Sequence, residues 1–185
     1  MKFFFAVVLL FAAVPAWAAE TYTFSLLPGD GSITGGPGET VGWGYSIENQ
    51  SSSFWLVTTG VASGSFQFGT PDLIFDFPIL APGSTATAPF DAATPTGLLS
   101  FTWDASAPLG AVESGSFLLN AEWWDGDPFS GGQLAFAASP LSQPYNATVV
   151  PEPGSGSLLA LPLLVASAIG VFRRRKQSAA LRTDS

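Results

Sequence analysis

Carboxylates and tryptophans are the side chains that could do chemistry in the middle of this chain. Trp123 and Trp124 are followed directly by Asp125-Gly126-Asp127. Two carboxylates that flank a flexible glycine form the best calcium-binding fragment of the sequence, because Ca²⁺ prefers oxygen ligands. The same pattern is typical of a plain turn between strands, and the fragment lacks the further ligands of a complete calcium loop. We therefore expect a turn here, with calcium at Asp125 and Asp127 as the weaker alternative, and no cofactor or other metal.

A tryptophan beside these acids could form a surface on which sugars stack. Neighbouring side chains of a strand point to opposite faces, so one of Trp123 and Trp124 must lie in the core. We expect Trp124 to be exposed and to form, with Asp125 and Asp127, the ligand-binding residues of a carbohydrate-binding module. Three further tryptophans could join such a surface if exposed: Trp43, Trp55 and Trp103. The first and last of these alternate in phase with apolar neighbours, which favours the core.

The composition of residues 19–149 argues against an enzyme. This segment contains seven Asp and five Glu but no Lys, Arg, His or Cys, so its net charge is −12. Acyl-transfer triads and transition-metal sites lack their usual residues, and nucleic acid would be repelled. A glycosidase-type carboxylate pair is the remaining catalytic option, drawn from Glu113, Glu122, Asp125 and Asp127. We place it behind a non-enzymatic role, because no cation is present to position a substrate.

Strand periodicity runs through the segment that must position these residues. Apolar residues recur at every second position over residues 21–26, 40–48, 99–104 and 116–123, and the positions between them are mostly polar or glycine. Less regular strand candidates are residues 54–62, 64–68, 73–77, 85–90, 133–137 and 145–149. Clusters of Gly and Pro lie between them, and no cysteine is available to form a disulfide. This pattern predicts one all-β domain, an antiparallel β-sandwich over residues 19–149.

Two segments make the expected fold more specific. Residues 37–49 (PGETVGWGYSIEN) and 80–87 (LAPGSTAT) each place a proline-glycine turn directly before a strand. They resemble the turn-then-strand openings of bacterial adhesion-type immunoglobulin-like domains. The resemblance implies an immunoglobulin-like β-sandwich and no functional residues.

The end of the chain has the parts of a membrane anchor. An extended linker is expected over residues 150–157, because proline lacks an N–H group and favours extended backbone. The linker begins with Val150, Pro151, Glu152 and Pro153. An uncharged apolar run at residues 158–172 predicts a single, rather short C-terminal transmembrane helix, with a buried core helix as the alternative. The stop-transfer cluster Arg173, Arg174, Arg175 and Lys176 follows and marks the cytoplasmic side, where residues 177–185 form a tail.

The order of these parts, over residues 150–176, is similar to the PEP-CTERM sorting signal of bacterial surface proteins. The resemblance implies recognition of Val150, Pro151, Glu152 and Pro153 by an exosortase, a membrane-embedded cysteine protease. It also implies removal of the transmembrane helix during export to the cell envelope or to an exopolysaccharide matrix.

The start of the chain is typical of a secretion signal. Lys2 supplies a positive charge, residues 3–14 are apolar, and Ala16 and Ala18 provide the small residues of a signal-peptidase site before Ala19. An uncleaved anchor is the alternative. We expect residues 1–18 to be removed and the protein to cross the inner membrane. A non-enzymatic surface or matrix protein is the expected function, and the carbohydrate-binding module is the alternative.

Overall fold

The computed structural model describes residues 20–151, which form eleven strands in two sheets. The strands are β1 (Tyr22–Leu27), β2 (Ser32–Gly35), β3 (Thr40–Asn49), β4 (Trp55–Ala62), β5 (Gly69–Leu73), β6 (Ile79–Leu80), β7 (Thr85–Ala88), β8 (Leu99–Trp103), β9 (Val112–Trp124), β10 (Leu134–Ala137) and β11 (Leu141–Val149). One 3₁₀ turn, Pro128–Ser130, lies between β9 and β10. The all-β prediction is confirmed for this part of the chain.

The first sheet has the order β1-β3-β8-β5, and β7 pairs with β3 beside β8. The second sheet has the order β2-β11-β9-β4-β6, and β10 pairs with the end of β9. All pairings are antiparallel except that of β2 with β11, which is parallel. Consecutive strands β1 and β2 therefore belong to different sheets, and this change of sheet occurs at the turn 28–31.

Strand β9 is the longest element and defines the long axis of the second sheet. From Val112 to Trp124 it spans about 40 Å at roughly 3.3 Å per residue. We call the end that holds Val112 and Val149 the tail pole, and the end that holds Trp124 the head pole. The described chain begins at the head pole, where the rings of Tyr22 and Trp123 lie 6.0 Å apart. It ends at the tail pole, so the two ends of the described chain are far apart.

The core between the sheets is aromatic. Trp43 is fully buried and contacts rings from the opposite sheet, with centroids 5.2 Å from Phe117 and 5.1 Å from Tyr145. Its indole nitrogen donates a hydrogen bond to the Gly31 carbonyl at 2.8 Å. Trp103 is also buried, as its alternation predicts. The packing of these rings supplies stability that other domains obtain from disulfides or ion pairs.

Burial raises the pKa of all three tyrosines of the chain. The largest effect is at Tyr45, where loss of water contact acts first and a hydrogen bond to the Asp76 carboxylate adds to it. The pKa values of Tyr22 and Tyr145 rise for the same first reason, and the charge of Glu113 contributes at Tyr145. The core therefore favours the neutral phenol over the phenolate.

Four details differ from the sequence-based expectations. The predicted strand at residues 64–68 is wrong, since this segment is irregular. The predicted strand at residues 73–77 is wrong beyond Leu73, and Phe77 has a positive φ of 52°. Strands β2 and β6 and the first four residues of β5 were not predicted, because these segments are short and do not alternate. Val150 belongs to the sandwich rather than to a free linker, because its N–H donates to the Gly35 carbonyl at 2.9 Å.

Several predicted features lie outside the described residues. They are the signal peptide with Ala16, Ala18 and Ala19, the linker residues Glu152 and Pro153, the transmembrane segment 158–172, the cluster Arg173, Arg174, Arg175 and Lys176, and the tail 177–185. Between residues 20 and 151, no helix is long and apolar enough to cross a membrane.

Candidate functional site

The two adjacent tryptophans of β9 lie on opposite faces of the second sheet. Trp123 is 1% exposed and packs in the core against Tyr22. Trp124 is half-buried and lies on the outer face. The split predicted from strand geometry is confirmed, and Trp124 is the member that solvent reaches.

Strand pairing places a second tryptophan beside Trp124. Trp55 of β4 is its register partner on one side, and Leu134 of β10 is its partner on the other. One step further along the same face, Glu122 pairs with Val57, and Val57 pairs with Ile79 of β6. We call these six residues the tryptophan face: Trp55, Val57, Ile79, Glu122, Trp124 and Leu134.

The tryptophan face is apolar except for one carboxylate. Glu122 is half-buried, and its Oε2 accepts a long hydrogen bond of 3.4 Å from the Trp124 indole nitrogen. Leu134 is 54% exposed and Phe129, on the nearby loop, is 85% exposed. An outer face with two tryptophans, exposed aliphatic carbon and a single charge is unusual for a domain that carries twelve acids. It is the strongest candidate for a binding surface among the described residues.

The two aspartates expected to join Trp124 accept hydrogen bonds within the adjoining loop. The Oδ1 of Asp125 accepts the Gln133 N–H at 2.7 Å and closes the loop base. Asp127 caps the 3₁₀ turn, accepting the Phe129 N–H at 2.9 Å and the Ser130 hydroxyl at 3.1 Å. Within residues 20–151 no group of three or more acidic, His or Cys side chains could hold a metal ion. The geometry of Asp125 and Asp127 is that of the turn favoured by the sequence.

Glu113, one of the four acids considered for catalysis, has a structural position. It is 5% exposed, and its Oε1 accepts the N–H groups of Gln67 and Phe68 at 2.7 Å each. It points inward from β9, whereas Glu122 points outward nine residues further along the strand, roughly 30 Å away. A glycosidase pair needs its carboxyl groups within about 10 Å. Glu113 and Glu122 therefore cannot act together on one glycosidic bond.

Sequence reasoning identified Trp124 but did not assemble the surface around it. Trp55 was considered without a partner, and Val57, Ile79 and Leu134 were not considered. A bulge between Thr58 and Gly60 sets which residue of β4 faces Trp124, and the sequence does not reveal the position of a bulge. The signal in the sequence that could have indicated this surface is the presence of apolar residues at outward-facing positions of β4 and β9.

Val150 and Pro151, the two predicted sorting residues that the structure describes, lie at the tail pole. Val149 and Val150 are hydrogen-bonded to Ala111 and Gly35, and Pro151 is exposed directly beyond them. The tryptophan face lies at the other end of β9. The predicted tether and the candidate binding surface are therefore separated by the length of the sandwich.

Comparison with known proteins gives little further information. No family model matches the chain, and no curated protein matches it. Among solved structures, the major subunit of aggregative adherence fimbriae type I from Escherichia coli aligns at 13% identity, with a TM-score of 0.27. The alignment covers 71% of this chain and 95% of that subunit. A similarity of this strength supports no argument about fold or function.

Proposed function

We propose that this chain is a non-enzymatic surface or matrix protein of the bacterial envelope, secreted across the inner membrane and sorted by its C-terminal segment. The observation that carries the proposal is the direct passage from the last strand into the sorting motif. The strand β11 ends at Val149, Val150 still pairs with Gly35, and Pro151-Glu152-Pro153 begins at once. The folded domain thus reaches up to the residues that an exosortase would recognise, and signal peptidase would act at the other end.

We further propose that the sandwich is immunoglobulin-like. The order β1-β3-β8-β5 corresponds to strands A-B-E-D of that fold, and β11-β9-β4 corresponds to G-F-C. The chain differs in three respects. Strand β5, at the D position, precedes β6, which extends the other sheet beyond the C position; β7 pairs with β3 beside β8; and β10 pairs with the end of β9. The pairings β1-β3-β8 and β11-β9-β4 keep the immunoglobulin order.

The intact mass of the mature protein from its native host tests the sorting proposal. We expect a chain that begins at Ala19 and ends near Pro151-Glu152-Pro153, without residues 158–185. Replacement of Glu152 by Ala should prevent cleavage and leave the full tail in place. Replacement of Glu48 by Ala is the control: Glu48 is an exposed acid of β3, outside the motif, so this variant should be cleaved like the wild type. A dominant wild-type form that ends at Ser185, in a host with an exosortase, would refute processing.

A second variant tests the topology independently. Exchange of Arg173, Arg174, Arg175 and Lys176 for Gln should lower retention in the membrane fraction, because these cations act as the stop-transfer signal. Unchanged fractionation would show that the cluster does not hold the chain.

Carbohydrate binding is the second candidate function. The observation that favours it is the pairing of Trp55 with Trp124 on the outer face, since flat aromatic rings stack on sugar rings. A glycan array probed with the protein, with and without calcium, tests this function. A blank array under both conditions would rule it out.

A further inference from the structure

We propose that the tryptophan face binds a polysaccharide that carries free amino groups. The inference rests on the second proposed function, carbohydrate binding, and adds the chemical class of the ligand.

The first step of the argument is the shape of the face. Trp55 and Trp124 are opposite each other on adjacent antiparallel strands, so their Cβ atoms lie about 5 Å apart. Both side chains are half-buried, so each is supported by the sheet while part of it meets solvent. Leu134 continues the row on the far side of Trp124. A row of this kind contacts an extended chain of rings better than a single small molecule.

The second step is the position of Glu122. This carboxylate is the single charge of the tryptophan face and lies two residues before Trp124, on the same side of β9. Its Oε2 is 3.4 Å from the Trp124 indole nitrogen, so the charge lies against the ring on which a sugar would stack. An ammonium group placed there donates a charge-assisted hydrogen bond to the Glu122 carboxylate and makes a cation–π contact with the indole.

The third step is the charge of the surrounding domain. Residues 20–151 carry twelve acidic side chains and no Lys, Arg or His. An anionic polysaccharide would be repelled, and a neutral one would gain nothing from this field, whereas an amine-bearing polysaccharide is attracted. At physiological salt, charges beyond about 8 Å are largely screened, so Glu122 is expected to contribute more than acids on the opposite sheet.

The fourth step is access. The tryptophan face lies at the head pole, about 40 Å along β9 from the residue where the described chain leaves the sandwich. A domain held by its C-terminal segment would present this face away from its attachment. A long polymer in the surrounding matrix could reach it without approaching the membrane.

The test uses the full-length chain in a nonionic detergent and three β-1,4-linked hexasaccharides. These are the hexamer of glucosamine, its fully N-acetylated form and the hexamer of glucose, with binding measured by calorimetry. We expect the amine form to bind at least about tenfold more tightly than either neutral form, and its affinity to fall as salt is raised.

Three variants locate the site. Trp124→Ala should weaken binding of the amine hexamer by about tenfold or more, and Glu122→Gln, which keeps the side-chain volume, by about threefold or more. Asp72→Asn is the matched control, because Asp72 is an exposed acid on β5 of the opposite sheet and the formal charge change is the same. It should change the affinity less than twofold, by the screening argument above. Near-ultraviolet circular dichroism verifies that each variant is folded, and Trp124→Phe replaces Trp124→Ala if the latter is not.

Each result has a distinct meaning. Equal affinity for the amine and N-acetylated hexamers would overturn the charge inference and leave carbohydrate binding intact. Absence of binding to all three hexasaccharides would overturn both the charge inference and the proposed carbohydrate binding. An equal loss in Asp72→Asn and Glu122→Gln would reduce the interaction to general attraction by an acidic protein and overturn the site.

Discussion

Exchange of Asn49 for Asp tests how the head pole is held together. Asn49 is fully buried at the end of β3, and its side-chain amide connects the loop after β3 to the end of β6. Its Nδ2 donates to the carbonyls of Phe54, Leu80 and Ala81 at 2.8, 3.1 and 3.0 Å, and its Oδ1 accepts the Ser51 N–H at 2.9 Å. Aspartate has the same shape but no hydrogen to donate.

The expected loss follows from these contacts. The amide has two hydrogens for its three carbonyl partners, so the change removes two hydrogen bonds, each contributing about 1 kcal/mol. It also places a carboxylate among three carbonyl oxygens at a fully buried position, which costs at least about 2 kcal/mol more. The free energy of unfolding should therefore fall by about 4 kcal/mol, a large part of the 5–15 kcal/mol typical of such domains.

Urea unfolding followed by tryptophan fluorescence measures this loss, because five of the six tryptophans lie in the described domain. With a urea slope of about 2 kcal/mol per molar, the midpoint should fall by roughly 2 M. Asn146→Asp is the matched control. Asn146 is half-buried on β11, and its Oδ1 accepts the Thr148 hydroxyl, which aspartate can also do. Equal midpoints for the two variants would refute the role assigned to the Asn49 amide.

Three further predictions concern the core and the close strand contacts. The pKa of Tyr45 is raised in the folded state, so the stability that this tyrosine contributes is complete below pH 10 and is lost as the pH rises through the folded-state pKa. Absorbance at 295 nm should therefore show phenolate only together with unfolding. Phenolate in the native protein at pH 10 would contradict this. Glu113→Ala should lower the free energy of unfolding by about 2 kcal/mol, because the part-buried N–H groups of Gln67 and Phe68 lose their charged acceptor. Glu113→Gln keeps an acceptor and should cost about 1 kcal/mol, and equal urea midpoints for wild type and Glu113→Ala would argue against this contact. Gly44→Ala should lower the melting temperature by many degrees, because a Cβ there would lie 2.5 Å from the Ala88 carbonyl oxygen and 2.7 Å from the Pro89 Cα. In the control variant Gly60→Ala, the added Cβ meets nothing closer than 3.7 Å, and the protein should melt within a few degrees of wild type.

The core could be predicted from the sequence because alternation reports directly on burial. Strand β3 alternates over its whole length, and Trp43, Tyr45 and Ile47 are all buried as expected. The same rule is wrong at residues 64–68, where Phe66 and Phe68 alternate but the backbone is held by the Glu113 side chain instead of a neighbouring strand. Alternation shows which side chains prefer the core and does not show what binds the backbone.

The candidate surface could be predicted only in part, because it depends on register. Trp124 follows from its position next to a buried tryptophan. Its pairing with Trp55 depends on the bulge in β4, and its pairing with Leu134 depends on an irregularity in β10. Each of these two pairings joins strands that are distant in the sequence, so no local pattern in the chain predicts it.

The attachment of the tail to the last strand also has a mechanical consequence. Strand β11 is paired with β9 over eight register positions and with β2 over four, and Val150 directly after it is still hydrogen-bonded to Gly35. A pull on the tail along the axis of β11, while the head pole is held, acts parallel to the strands and across their hydrogen bonds. All of these bonds then resist at the same time, in shear, instead of opening one after another as in a peeled hairpin. Force along this direction is therefore borne by the pairing of β11 with both of its neighbours.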